Sequence, residues 1–131
     1  MKILVGYDGS NESKKALRLS QKHAKKLGAT IEVATAINRY DPLEYHKIQE
    51  SEQELDLDVK GILNGDTALY ETHLLVNDLC PGVQLVIFAD RYLVYEIIIG
   101  ATNITRVGNL FFIYTDQYIV LNAPCPVVTV N

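Results

Sequence analysis

Five short runs of β-branched and aliphatic residues alternate along this chain with four segments of helical length, and this alternation limits the folds open to it. Apolar runs of about four to eight residues are typical of buried strands. A strict β-α-β-α-β-α-β-α-β order predicts an α/β fold of three layers, with right-handed crossovers and helices on both faces of an open, twisted parallel sheet. The predicted strands are Met1–Gly6, Thr30–Ile37, Leu69–Val76, Tyr95–Gly100 and Pro126–Val130.

The predicted helices lie between these runs. Ser10 is a favourable N-cap for the first helix, and Gly28 suits the position just after its end. The four helices are expected from Ser10 to Leu27, from about Leu43 to Leu63, from about Pro81 to Tyr92, and from Asn109 to Leu121. The segments Val83–Phe88 and Leu110–Tyr114 are apolar on nearly every side, so they are candidates for contacts between copies of the chain in an assembly larger than a dimer.

The strand Met1–Gly6 is apolar without interruption, which is typical of a strand buried on both faces. We therefore predict that it is central, with Thr30–Ile37 and Tyr95–Gly100 beside it. Leu69–Val76 and Pro126–Val130 are then the two edges.

The edge Pro126–Val130 is uncharged and β-branched, and such an edge invites pairing with another chain. A two-fold axis would pair it antiparallel with its own copy. The sequence therefore predicts a homodimer whose interface contains Val127, Val128, Thr129 and Val130.

Length and charge exclude several classes of protein. With 131 residues the chain fits one domain, residues 1–131. Its net charge of −4 argues against a protein that binds duplex nucleic acid, which needs a concentrated basic face. No apolar run is long enough to span a membrane, and no signal-peptide pattern follows Met1, so we expect a cytoplasmic protein with Cys80 and Cys125 reduced.

Sequence motifs of enzymes and metal sites are missing. There is no Gly-x-Ser-x-Gly, no Gly-Lys-Ser of the Walker type, no His-Glu-x-x-His and no Cys-x-x-Cys. The histidines His23, His46 and His73 are far apart in sequence, and none forms a helical i, i+4 pair. The sequence predicts neither a catalytic residue nor a metal site.

The first place to expect a ligand is the loop after Gly100. In a strand–loop–helix unit, ligands bind where the carboxyl end of the strand meets the N-terminus of the helix. Tyr95–Gly100, the polar link after it and the following helix make such a unit.

An ordered set of motifs resembles the universal stress protein family over nearly the whole chain. These are Ile3-Leu-Val-Gly-Tyr-Asp8-Gly-Ser10, Lys26-Leu-Gly-Ala29, Pro81-Gly82, Glu96-Ile-Ile-Ile-Gly100 and Ala123-Pro-Cys-Pro-Val-Val128. The resemblance implies a Rossmann-like fold of the adenine nucleotide alpha hydrolase type, with strand order 3-2-1-4-5. It also implies a homodimer and a role in stress tolerance.

In the ATP-binding branch of that family, the resemblance places adenosine near Asp8 and Ala36. The phosphates bind a loop with the pattern Gly, two residues, Gly, nine residues, Gly, and then Ser or Thr. Here those positions hold Gly100, Asn103, Ile113 and Tyr114, so only the first glycine matches.

The departure from this pattern predicts a degenerate nucleotide site. We expect a non-enzymatic stress-response homodimer that acts through contacts with an unidentified protein, has no cofactor and does not bind ATP tightly. Asp8 then has a structural alternative, which is to stabilise the turn before the first helix. The alternative function is an adenine-nucleotide binder, for ATP or AMP with Mg²⁺, or a slow ATPase.

Overall fold

The computed structural model describes residues 1–40, 48–64, 68–101 and 110–131, and within the last range it describes side chains from residue 115 onward. Its strands are β1 (Lys2–Gly6), β2 (Thr30–Asn38), β3 (Tyr70–Asn77), β4 (Glu96–Gly100) and β5 (Val127–Val130). Its helices are α1 (Asn11–Leu27), α2 (Ile48–Leu63), α3 (Pro81–Arg91) and α4 (Leu110–Asn122).

The five strands form one parallel sheet of order β3-β2-β1-β4-β5, which confirms the predicted fold. β1 is central because its inner residues are buried on both sides of the sheet: Ile3, Leu4 and Val5 are all fully buried. β3 and β5 are the edge strands, as predicted.

The hydrophobic core is divided by the sheet into two clusters. On the side of α1 and α2, Ile3 and Val5 pack with Leu17 and Val59. On the side of α3 and α4, Leu4 packs with neighbouring side chains of both helices and of β4, which are Leu85, Phe88, Ile97, Ile99 and Ile119. A strand side chain therefore belongs to one cluster or the other according to its place in the two-residue repeat.

Helix α1 begins and ends as its sequence predicts. The Ser10 side chain accepts a hydrogen bond from the backbone N–H of Ser13 at 3.1 Å, which is the geometry of an N-cap. Gly28 follows the helix with φ of 64°, the left-handed conformation that glycine adopts without steric cost. These two residues fix where the chain leaves β1 and where it enters β2.

Two helical predictions are only partly covered. The predicted start of the second helix, residues 43–47, lies outside the described residues, as do the side chains of Leu110–Tyr114. In α3, Leu85 and Phe88 are buried whereas Ile87 is 41% exposed, so the described residues leave part of the apolar segment Val83–Phe88 uncovered. None of the described helices has the length and apolar character needed to span a membrane.

Candidate functional site

A cavity of about 200 Å³ lies at the carboxyl edge of the sheet, where β1, β2 and β4 end. Its walls come from these strand ends and from residues of all four helices. The lining residues include Gly6, Tyr7, Asp8, Ser13, Ala34–Ile37, Pro81, Ile99, Gly100, Thr115 and Asp116. A water molecule occupies about 30 Å³ in the liquid, so the cavity has room for a small organic group.

The structure brings three of the predicted site residues into this cavity. Asp8, Ala36 and Gly100 all line it, although they come from three different strand ends. Asn103 lies outside the described residues. Ile113 and Tyr114 belong to α4, but their side chains are outside the description.

Asp8 has a local structural role at the mouth of the cavity. Its Oδ1 accepts a hydrogen bond from the backbone N–H of Ser10 at 2.9 Å, and Ser13 Oγ donates to the Ser10 carbonyl at 2.9 Å. A carboxylate that accepts from the backbone two residues further on forms an Asx turn. Asp8 therefore stabilises the turn before α1, which is the structural role predicted for it. It also lies in the cavity wall, where a ligand can reach it.

Gly100 is required by packing, whether or not a ligand binds. A Cβ atom at this position would lie 2.6 Å from the Glu12 carbonyl carbon and 2.6 Å from the Ser13 backbone nitrogen. No side chain fits at that distance, so only glycine lets the first turn of α1 approach β4 this closely. The one glycine that matches the phosphate-loop pattern thus has a sufficient structural reason.

Tyr7 connects the cavity to α2, a contact that the sequence analysis missed. The Tyr7 hydroxyl donates to Asp58 Oδ2, and Tyr7 is only 5% exposed. Burial raises the pKa of the Tyr7 phenol, and the hydrogen bond to Asp58 and its negative charge raise it further. The hydrogen bond between Tyr7 and Asp58 thereby joins the end of β1 to α2.

Gln84 ties the end of β2 to the segment before α3. Its Nε2 donates to the Ile37 carbonyl at 2.9 Å and to the Leu79 carbonyl at 2.8 Å. Ile37 also lines the cavity, so this buried amide holds one wall of the cavity in place.

Cysteine chemistry does not contribute to the site. Cys80 and Cys125 form no disulfide with each other, and neither lines the cavity. Burial raises the pKa of the Cys125 thiol, and the charge of Glu96 raises it further. A thiol with a raised pKa is a poor nucleophile.

Away from the cavity, two histidines form pairs with carboxylates across the fold. His23 Nδ1 lies 2.5 Å from Glu96 Oε1, and His73 Nε2 lies 2.7 Å from Glu32 Oε2. His23 is thus a partly buried residue with a polar partner. The second pair could have been found from the sequence only by noticing that Glu32 interrupts a buried strand.

The sheet order and the cavity at its carboxyl edge define an α/β protein of the Rossmann-like, adenine nucleotide alpha hydrolase-like class. The family model described as "Universal stress protein family" matches residues 1–131. The chain belongs to the universal stress protein family, which confirms the resemblance seen in its motifs.

Solved structures agree with this assignment. A universal stress protein from Archaeoglobus fulgidus is 26% identical, with a TM-score of 0.83 over 100% of this chain and 93% of that one. Another structure, the universal stress protein from Archaeoglobus fulgidus in complex with dAMP, is 26% identical with a TM-score of 0.81, covering 100% of this chain and 98% of that one. A universal stress protein in complex with cAMP is 19% identical with a TM-score of 0.71, covering 100% and 96%, and shows the fold alone. No curated protein sequence matches the chain significantly.

Proposed function

We propose that this chain is a non-enzymatic stress protein that works as a homodimer through protein contacts and does not bind ATP tightly. The observation that carries the second part is the charge of the cavity. Among the described residues that line it, Asp8 and Asp116 are carboxylates and none is Lys or Arg. A triphosphate needs cations or a cradle of backbone N–H groups to replace its hydration.

The residues at the phosphate-loop positions support the same proposal. A phosphate cradle needs successive N–H groups aimed at the anion, often with residues at positive φ. Glycine adopts such conformations freely, and Asn103 tolerates them better than most residues. A β-branched residue such as Ile113 would be strained at positive φ, and Tyr114 has a bulky ring where the family pattern has a small hydroxyl. Loss of one charge-assisted hydrogen bond costs about 1.5–3 kcal/mol, or roughly ten- to a hundredfold in affinity.

Adenine-nucleotide binding is the second candidate function, and one comparison favours it. The similar Archaeoglobus fulgidus protein was solved in complex with dAMP. In this chain Asp8 and Ala36 both line the cavity at the carboxyl edge of the sheet. They are therefore placed to contact a nucleoside even if the loop after Gly100 does not bind its phosphates. Weak binding of adenosine is therefore compatible with the proposal, whereas tight binding of Mg-ATP is not.

Thermal unfolding in the presence of millimolar adenosine, AMP or Mg-ATP separates the two candidates. A ligand at a hundred times its dissociation constant stabilises a protein by about 2.7 kcal/mol. For a chain of this size that is a rise in Tm of roughly 10 °C. We expect a much smaller shift with Mg-ATP. A shift of that size, or one nucleotide per chain in the purified protein, would establish the nucleotide-binding alternative instead.

A gain-of-function variant tests the loop directly. The double variant I113G/Y114S restores the family pattern at two positions. We expect it to gain a Tm shift with Mg-ATP that the native chain lacks, even though glycine within α4 costs about 1 kcal/mol of stability. The matched control is I113A/Y114A, which removes the same bulk without supplying the glycine or the hydroxyl.

The homodimer is proposed from the exposed edge of the sheet. β5 is outermost and pairs with β4 on its inner side, and its four residues carry no charge. Natural sheet edges are usually protected by charged residues, bulges or covering segments. Near it in sequence, Val120 and Leu121 of α4 are 54% and 81% exposed. A second copy paired along β5 would satisfy the free backbone groups of this edge.

A further inference from the structure

Three side chains that can bind a metal meet on one face of the sheet. None of them lines the cavity, although His73 lies opposite the cavity-lining Ala34 in the strand register. Glu32 of β2 lies directly opposite Glu71 of β3, and His73 follows Glu71 by two residues on the same strand. Alternate residues of a strand project from the same face. The carboxylate oxygens of Glu32 and Glu71 and a ring nitrogen of His73 lie within 4.8 Å of one another.

We propose that Glu32, Glu71 and His73 form a binding site for a divalent transition-metal ion, for which Zn²⁺ is the best match. Zinc binds imidazole nitrogen and carboxylate oxygen at about 2.0–2.2 Å, so two ligand atoms of one tetrahedral ion are separated by about 3.3–3.6 Å. His73 Nε2 is 2.7 Å from Glu32 Oε2 and 3.9 Å from Glu71 Oε2. The Glu71 side chain is 75% exposed, so its carboxylate can move the short distance needed.

The charge balance of this cluster favours a cation. Glu32 is only 5% exposed, and a buried carboxylate is costly unless its charge is compensated. Glu71 stands opposite it in the neighbouring strand, where two like charges destabilise a sheet. Lys2 Nζ is 4.0 Å from Glu32 Oε1 and is 41% exposed, so it compensates the charge only weakly. His73 Nε2, at 2.7 Å from Glu32 Oε2, already gives the buried carboxylate a hydrogen-bond partner. A divalent ion between the two carboxylates would in addition neutralise the charge of both.

The type of metal follows from the ligands. Carboxylates alone suit Mg²⁺, Ca²⁺ or Mn²⁺, whereas imidazole together with carboxylate suits Zn²⁺ and its transition-metal neighbours. Three protein ligands leave a fourth position of a tetrahedral zinc ion for water. The ring of Phe88 packs edge-on against His73 at 5.0 Å between centroids and restricts the orientation of the imidazole. The ligand that reaches solvent is Glu71, which gives the ion a path of entry.

The test is a zinc titration by calorimetry on tag-free protein that has been treated with EDTA and dialysed. We expect one Zn²⁺ per chain. Glu71→Gln and His73→Gln should each weaken binding at least about tenfold, since loss of even an outer-shell partner of a metal ligand costs ten- to a hundredfold. Circular dichroism establishes that the variants are folded, and Glu71→Gln changes only an exposed side chain.

His23→Gln is the matched control. It removes a histidine from the other described histidine–carboxylate pair, His23 with Glu96, to which no third metal-binding side chain converges among the described residues. It should bind zinc as the native chain does, and so should Cys80→Ser, which removes the exposed thiol. The proposal is overturned if no zinc binds at one per chain, or if Glu71→Gln and His73→Gln both bind it with native affinity.

Discussion

At the scale of single residues, Gly100 illustrates how one residue can satisfy a functional motif and a packing requirement together. The sequence assigns it to a phosphate loop, whereas the structure gives a packing reason that needs no ligand, the close approach of α1 to β4. A glycine at a motif position is therefore weak support for ligand binding until its neighbours are known.

We expect Gly100→Ala to lower the free energy of unfolding by about 1–3 kcal/mol, the usual cost of overpacking. The added methyl group would meet backbone atoms at 2.6 Å, and backbone cannot move aside as a flexible side chain can. Urea denaturation measures the effect. Gly61→Ala is the matched control, because a Cβ there has open space within α2. That variant should gain about 0.5–1 kcal/mol from helix propensity. Equal stability of the two variants would contradict the packing argument.

Tyr7 predicts a distinctive alkaline titration. Its pKa is raised in the folded state by burial and by Asp58, so the folded protein favours the protonated phenol. The stabilisation is therefore fully present below the ordinary tyrosine pKa of about 10 and is lost as the pH rises above it. In an ultraviolet titration of the folded protein, one of the eight tyrosines should ionise last, and Tyr7→Phe should remove that late step. A late step that persists in Tyr7→Phe would show that another tyrosine causes it.

At the scale of elements, the strands could be predicted from local sequence, whereas their order was predicted from the apolar character of β1 and from the family resemblance. The continuous apolar runs of β1 and β4 and the β-branched residues of β2 are typical of buried strands and could be recognised without the structure. The contacts that shape the sites are different, since they join residues far apart in sequence. Tyr7 and Asp58 are 51 residues apart, and Glu32 and His73 are 41 apart. The first contact depends on how α2 packs against the sheet and the second on the register of β2 and β3, so neither was predicted.

The amide of Gln84 is expected to stabilise the junction between β2 and α3. Gln84→Leu removes the donor for the Ile37 and Leu79 carbonyls, and a buried carbonyl left without its partner costs about 1–3 kcal/mol. Part of this loss is offset because the native Gln84 Oε1 is buried without a hydrogen-bond partner. Denaturant unfolding should show a loss of roughly 1 kcal/mol. Gln53→Leu, on the exposed face of α2, should change stability by less than about 0.5 kcal/mol, and an equally neutral Gln84→Leu would refute the stabilising role.

At the scale of the whole molecule, the two edge strands of the sheet, β3 and β5, differ in the charged residues that they carry. β3 bears charged and titratable residues, Glu71 and His73, whereas β5 bears none. Charged residues on an edge strand discourage pairing with other chains. The asymmetry is consistent with our proposals of self-association through β5 and of an ion site on β3.

The variant Thr129→Lys tests that assembly. Thr129 is the exposed residue of β5, so the substitution leaves the core of the chain intact. An antiparallel pair of β5 strands about a two-fold axis would bring two new ammonium groups near each other and bury them in part, which costs more than the same charge in solvent. Analytical ultracentrifugation at micromolar concentration should give a dimer for the native chain and a monomer for Thr129→Lys. Gln53→Lys, which adds the same charge to the exposed face of α2, should remain a dimer. A native monomer, or a Thr129→Lys dimer as tight as the native one, would exclude β5 as the interface.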